Sequence, residues 1–267
     1  MEIFLSCMVF ILGCCIGSFS NVGIYRWHVG TSVLKGRSHC DTCGKQISWY
    51  DNIPILSYVI LGGKCRYCHA HLSLQYPFVE FLTGITFLII YSVLGPTILT
   101  AKLLFVSWLF IVATVSDILY REVPDELTLI SIPVMIGLAL SGENTWIDLG
   151  LGILFPGVIF FVLAIIFEAL LGKLIIGGGD IKFLFSIGGI MGCGFATSIF
   201  IIGCFCMALI YFSTMVEDIV EKKQSYVPML VGFATAYFLI LMCHYLVSPE
   251  FDIVNVFLSY LFGGMFM

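Results

Sequence analysis

Residues 181–216 read IKFLFSIGGIMGCGFATSIFIIGCFCMALIYFSTMV, and Lys182 is the sole charged residue among them. One helix crosses the hydrocarbon core of a bilayer with roughly 17–25 residues, so this run is long enough for two. The glycines around Gly192 to Gly194 mark the expected break. Working outward, further apolar runs lie near 3–25, 77–95, 101–118, 127–141, 147–171, 227–247 and 252–266. The fold class this implies is an all-α polytopic membrane protein with about eight or nine transmembrane helices.

The composition agrees. Of the 267 residues, 60% are hydrophobic and 11% charged, and the mean hydropathy is +1.07. A soluble domain carries roughly a quarter charged residues. The net charge of -5, with no basic stripe or run, gives nucleic acid nothing to bind. The first run could be a signal peptide. It has Glu2 where a basic region belongs and no evident small-residue cleavage site, so it is read as a retained transmembrane helix.

Between the first two helices lies a polar insert, residues 26–76. Six of the twelve Lys and Arg fall in it: Arg26, Lys35, Arg37, Lys45, Lys64 and Arg66. Threading the helices alternately puts Arg121, Lys173, Lys182, Lys222 and Lys223 on the same side, and Lys102 alone opposite. The positive-inside rule then places the insert in the cytoplasm.

The insert contains HCDTCGK and GKCRYCH. Cys40 and Cys43 form one CxxC pair, Cys65 and Cys68 another, with 21 residues between the pairs. Two such knuckles can close a tetrahedron of thiolates around zinc, and Gly44 suits the turn after the first pair. Two disulfides are the alternative, which a reducing cytoplasm disfavours. An insert of ~50 residues builds little core of its own, so the metal is expected to hold it together. His39, His69 and His71 are read as surface residues because four cysteines already fill the shell. The other seven cysteines (Cys7, Cys14, Cys15, Cys193, Cys204, Cys206, Cys243) sit in apolar stretches as small buried hydrophobes.

Ionisable groups at membrane depth raise a functional question by default. The acids in that position are Glu80, Asp117, Asp125, Glu168 and Asp180. Asp117 ends the third helix and Asp180 begins the sixth, both at the cytoplasmic end by the threading above. Two aspartates that meet there cannot both ionise cheaply, and the pair then holds one proton between them. That is the arrangement with which an aspartic protease activates water and polarises a scissile carbonyl. The alternative for Asp180 is a helix cap, with Gly177, Gly178 and Gly179 closing a loop. Asp125 follows Pro124 and reads as a cap of the next helix, while Glu168 lies within a turn of the cytoplasmic boundary. Glu80 opens an apolar helix with no obvious partner.

Several stretches, in order, resemble the bacterial type IV prepilin peptidases. They are GSFSNVGIYR (17–26), the two CxxC pairs, DNIPILSY (51–58), YPFVE (76–80), SDILYREVPDELTL (116–129) and GGGDIK (177–182). GGGD fits the GxGD signature of intramembrane-type aspartyl proteases. The resemblance covers most of the chain. It implies Asp117 and Asp180, separated by 63 residues, as the catalytic aspartates, with Asp125, the three glycines and Lys182 in support. The glycines would let an extended peptide backbone approach the dyad. It implies a prepilin or pseudopilin substrate with a short basic leader, in the cytoplasmic (inner) membrane of a bacterium. Neither metal nor acyl-enzyme is expected in proteolysis. The resemblance also implies N-methylation of the new N-terminus with S-adenosylmethionine. No Rossmann fingerprint is present, and Asn21, Arg26, Asp51, Asn52 and Glu80 are the residues placed near that cofactor. Gly17, Ser18 and Asn21 have helix packing as an equal alternative, and Asp51 to Pro54 a turn that positions the knuckles. The domains are then 1–25, a first transmembrane helix; 26–76, the zinc-binding insert; and 77–267, a transmembrane aspartyl protease.

Departures from the family pattern are Asp41 inside the first CxxC, Gln75 before Tyr76, KLII (173–176) before GGGD and VPMLVG (227–232) near the end. None touches the aspartates. An ion-coupled transporter would explain Asp117 and Asp180 as a cation or proton site but leaves the four cysteines idle. A scaffold with a zinc module would reduce the aspartates to caps.

Overall fold

The computed structural model describes residues 2–33, 36–171, 177–221 and 229–242. The expected helix at 252–266, the KLII stretch, Lys35, Lys173, Lys222, Lys223, Cys243 and the side chain of Glu168 lie outside the described residues. Within them the chain forms nine α-helices, one short 3-10 helix (Trp49–Asn52) and no β-strand, only two isolated bridges. They are α1 (Glu2–Val29), α2 (Leu56–Ile60), α3 (Gln75–Leu94), α4 (Ile98–Tyr120), α5 (Asp125–Leu140), α6 (Trp146–Leu171), α7 (Gly178–Met191), α8 (Cys193–Glu221) and α9 (Met229–Leu241). Among the described residues α1, α3 and α4 are long and apolar enough to cross a membrane, and Trp146–Val162, Cys193–Cys206 and Leu230–Leu241 are shorter apolar stretches.

The long run at 181–216 does break in two. Gly192 adopts φ 88, a left-handed conformation that ends α7 and lets α8 start at once. The first helix, in contrast, does not stop at Tyr25. Nothing breaks it before Gly30 at φ 71, so Arg26 lies on its last turn. Ile3, Phe4, Met8, Ile11 and Leu12 of α1 and Leu151, Leu154, Val158 and Phe161 of α6 expose apolar faces. Lipid, not water, suits such faces.

Two compact units meet between Val112 and Ala113, within α4. In the first unit α1 and α3 pack through small residues. A Cβ on Gly17 would lie 2.9 Å from the Cα of Glu80, and one on Gly13 would lie 2.8 Å from the Cα of Gly84. Bare backbones therefore set how close the two helices come. The Trp108 Nε1–H donates to Ser20 Oγ at 2.7 Å, joining α4 to α1. In the second unit α6 and α7 touch backbone to backbone at Gly152 and Gly188, and Gly203 of α8 lies under the ring of Phe233 of α9.

Candidate active site

Three sites emerge from these helices. The first is the pair of aspartates. Asp117 occupies the last turn of α4 and Asp180 the first turn of α7; they are 5% and 8% exposed. Asp117 lies close enough for its charge to act on Asp180. The Leu230 N–H, at the start of α9, donates to Asp117 Oδ2 at 3.3 Å. Asp180 is not itself the N-cap: Gly177 holds that position and Asp180 stands three residues on, with its carboxylate turned back toward Gly177. Asp125 does not cap α5 either, because Pro124 holds that position. Its carboxylate accepts instead from Lys182 Nζ, at 2.7 and 2.9 Å.

The three glycines have separate surroundings. A Cβ on Gly179 would come 2.9 Å from Val123 Cβ, so α7 begins pressed against the turn that follows α4. That turn folds back through Arg121 at φ 59, and the Ser116 hydroxyl donates to Glu122 O at 2.9 Å. A Cβ on Gly177 would lie 3.1 Å from Asp180 Oδ2. Only Gly178 of the three faces open space. Close packing thus accounts for Gly179 and not for Gly178.

The second site is the cysteine cluster. The Sγ atoms of Cys40, Cys43, Cys65 and Cys68 all lie within 4.8 Å of one another, and Cys40 and Cys68 are 3.8 Å apart. With zinc–sulfur bonds of about 2.3 Å, tetrahedral geometry puts neighbouring sulfurs about 3.8 Å apart, so the cage fits a metal ion of that kind. Both knuckles are the same small hairpin. Cys40 N–H donates to Lys45 O and Gly44 N–H to Cys40 O, at 2.9 and 2.8 Å; Cys65 N–H donates to Ala70 O and His69 N–H to Cys65 O, at 2.9 and 3.0 Å. Gly44 and His69 hold the left-handed position in each, at φ 68 and 56. His69 is thus on the surface, as its neighbours implied, but it does the work of a glycine. The N–H groups of Cys43 and Thr42 pull the Cys40 thiol down to about 6, while the neighbouring thiols hold Cys68 up at about 11, so the four share their protons unevenly. Lys45 stacks 4.8 Å from the Tyr67 ring and so ties the first knuckle to the second.

The third site is a cavity of about 390 Å³ between the C-terminal end of α1, the N-terminal end of α3 and the insert. Asn21, Arg26, Asp51, Asn52 and Glu80 all line it, together with Cys40 and Thr42 of the first knuckle. Each of four has structural partners as well. Asn21 Nδ2 donates to Tyr76 O at 3.2 Å and its Oδ1 accepts from Gln75 at 3.3 Å. Arg26 donates to the carbonyls of Ser32 and Val33 at 3.2 and 3.1 Å. Asp51 takes a two-pronged bond from Arg66, at 2.6 and 2.8 Å, which couples the second knuckle to the cavity wall. Glu80, which had no partner in sequence, is 7% exposed, and its Oε2 accepts the Ile55 N–H at 2.7 Å. No sequence signal marked Leu230, Val123 or Ile55, because each acts through its backbone or its shape.

Residues 11–94 match the model of the bacterial peptidase A24 N-terminal domain, and residues 103–212 that of the type IV leader peptidase family. A prepilin leader peptidase/N-methyltransferase of Vibrio cholerae is 31% identical over 240 residues, covering 84% of this chain and 92% of that protein. One of Klebsiella pneumoniae is 32% identical over 195 residues, 69% of this chain and 84% of that protein. One of Myxococcus xanthus is 47% identical over 79 residues, 30% of this chain and 24% of that protein. No solved structure gives a significant match. Helices that suit a membrane, a metal-ready cysteine cluster and two buried aspartates in one unit thus accompany matches along most of the sequence: the chain belongs to the type IV leader peptidase family.

Proposed function

We propose that this chain cleaves the short basic leader from prepilins or pseudopilins and then N-methylates the new N-terminus. The observation that carries the proteolytic half is the burial of Asp117 and Asp180 within electrostatic reach of each other. Buried acids at membrane depth are costly and call for a role. Sharing one proton, the ionised aspartate takes a proton from water as the oxygen attacks the scissile carbonyl. The protonated partner gives its hydrogen to the carbonyl oxygen. Collapse of the tetrahedral adduct breaks the C–N bond and returns a proton to the leaving amine. The Leu230 N–H fixes the Asp117 carboxylate, and Gly178 leaves room for an extended backbone. Asp125 and Lys182 hold the start of α7 in register.

For the methyl transfer, the cavity lined by Asn21, Arg26, Asp51, Asn52 and Glu80 is the place for S-adenosylmethionine. At about 390 Å³ it falls in the range of small-molecule sites, roughly 300–1,000 Å³. The bound cofactor supplies an electrophilic methyl group. The chain's own part is to seat it beside Asn21 and Arg26 of α1 and Asp51 and Asn52 of the DNIP segment. Cys40, Cys43, Cys65 and Cys68 would hold zinc, which would serve as a structural ion beside the part of the cavity wall formed by Cys40 and Thr42. The excess of Lys and Arg in the insert favours a cytoplasmic position for it and the inner membrane of a bacterium for the chain.

Co-expression with a prepilin tests the dyad. Asp117→Ala and Asp180→Ala are each expected to abolish leader cleavage; wild-type processing by either variant would refute the assignment.

A further inference from the structure

Immediately after the DNIP segment the backbone takes a conformation that non-glycine residues rarely adopt. Ile55 stands at φ 61, ψ -51, and the Leu56 N–H donates back to Pro54 O at 2.5 Å. This is the positive-φ form of the γ-turn, a rare and strained conformation. For a β-branched residue it is a true outlier. Such strain persists only where the surroundings over-determine it. Here Pro54 fixes its own φ, and the Ser57 hydroxyl bonds the carbonyls of Tyr50 and Ile53 at 3.1 and 2.7 Å. The decisive restraint comes from another helix. Glu80 of α3 accepts the Ile55 N–H at 2.7 Å. The turn sends Asn52, Ile53 and Ile55 to the cavity wall, with Glu80 beside them.

We propose that Glu80 is a positioning residue for methyl transfer, acting through the Ile55 N–H to hold a strained turn that shapes the cofactor cavity. It works as a hydrogen-bond acceptor and neither as a base nor as a counter-charge. Without the acceptor, Ile55 relaxes to negative φ and the Asn52–Ile53 wall shifts. This inference rests on the reading of the cavity as the S-adenosylmethionine site.

The test uses the full chain in membranes with a co-expressed prepilin. Leader cleavage is followed alongside kcat and KM for S-adenosylmethionine, with intact-mass detection of the methylated product. Glu80→Gln keeps an acceptor oxygen and is expected to methylate within about threefold of wild type. Glu80→Ala should raise KM about tenfold or more with cleavage unchanged. Ile55→Gly adopts positive φ freely, so Glu80→Ala combined with Ile55→Gly should recover most of the lost affinity. Loss of methylation in Glu80→Gln with cleavage intact would overturn the inference, as would failure of Ile55→Gly to rescue. If Glu80→Ala fails to fold and loses cleavage as well, the Glu80→Gln result alone decides. A wild-type chain that cuts but never methylates would sink the cofactor reading itself, and this inference with it.

Discussion

The aspartate site and the cysteine insert are built by opposite means. The insert's parts are close in sequence: two hairpins of the same pattern, 25 residues apart, are joined by Lys45 on Tyr67, and Arg66 ties the second to Asp51 in the segment between them. The aspartate site draws its parts from α4, α7 and the start of α9, with the Asp117–Leu230 bond spanning 113 residues. Polar contacts and a metal-ready cage hold the first; apolar helices meeting at glycines hold the second. A site made of local polar contacts fails when one ligand goes. A site made of helix packing fails when a helix moves.

Replacing a cysteine therefore gives the largest effect expected for the insert. Cys65→Ser should release the metal, whose binding in small zinc modules supplies about 10–16 kcal/mol. Metal analysis of the purified chain would read this, and methylation should fall before cleavage does. Metal retained at full stoichiometry would break the contrast between the two regions.

Next in size comes a substitution at the glycines. Gly179→Ala drives a Cβ against Val123 and displaces Asp180, for a cost of about 1–3 kcal/mol and a cleavage rate lower by about tenfold. Gly178→Ala meets open space and should leave a folded enzyme. Its effect on cleavage reports substrate approach alone, read as a rise in prepilin KM.

Smaller still is the exposed pair of Lys182 and Asp125. Lys182→Ala should cost about 0.2–1 kcal/mol of stability, and high salt should remove the difference. An effect of similar size and opposite sign is expected at His69. His69→Gly relieves a left-handed conformation worth about 1–2 kcal/mol and loses about 0.5–1 kcal/mol to chain entropy. The insert should melt slightly higher, never lower.

Much of this was legible because it is written locally. Apolar runs gave the helices, and Gly192 the break between α7 and α8. The CxxC spacing anticipated a cluster whose sulfurs lie within 4.8 Å. What was hidden acts through the backbone or across long separations. Pro54-Ile55 carries no mark of a γ-turn, since the conformation is imposed by Glu80 from another helix. The N–H that meets Asp117 belongs to Leu230, an ordinary apolar residue. Asp125 read as a cap because Pro124 precedes it, yet the proline itself took that position and freed the carboxylate for Lys182. The end of α1 was set too early because polarity rises at Arg26, whereas a helix stops where its backbone is broken, at Gly30.

The most direct measurement is the intact mass of the pilin product made by three chains: wild type, Asp180→Asn and Glu80→Ala. The account predicts a product cut and methylated, one uncut, and one cut but methylated to a lower extent. A cut product from Asp180→Asn would contradict it.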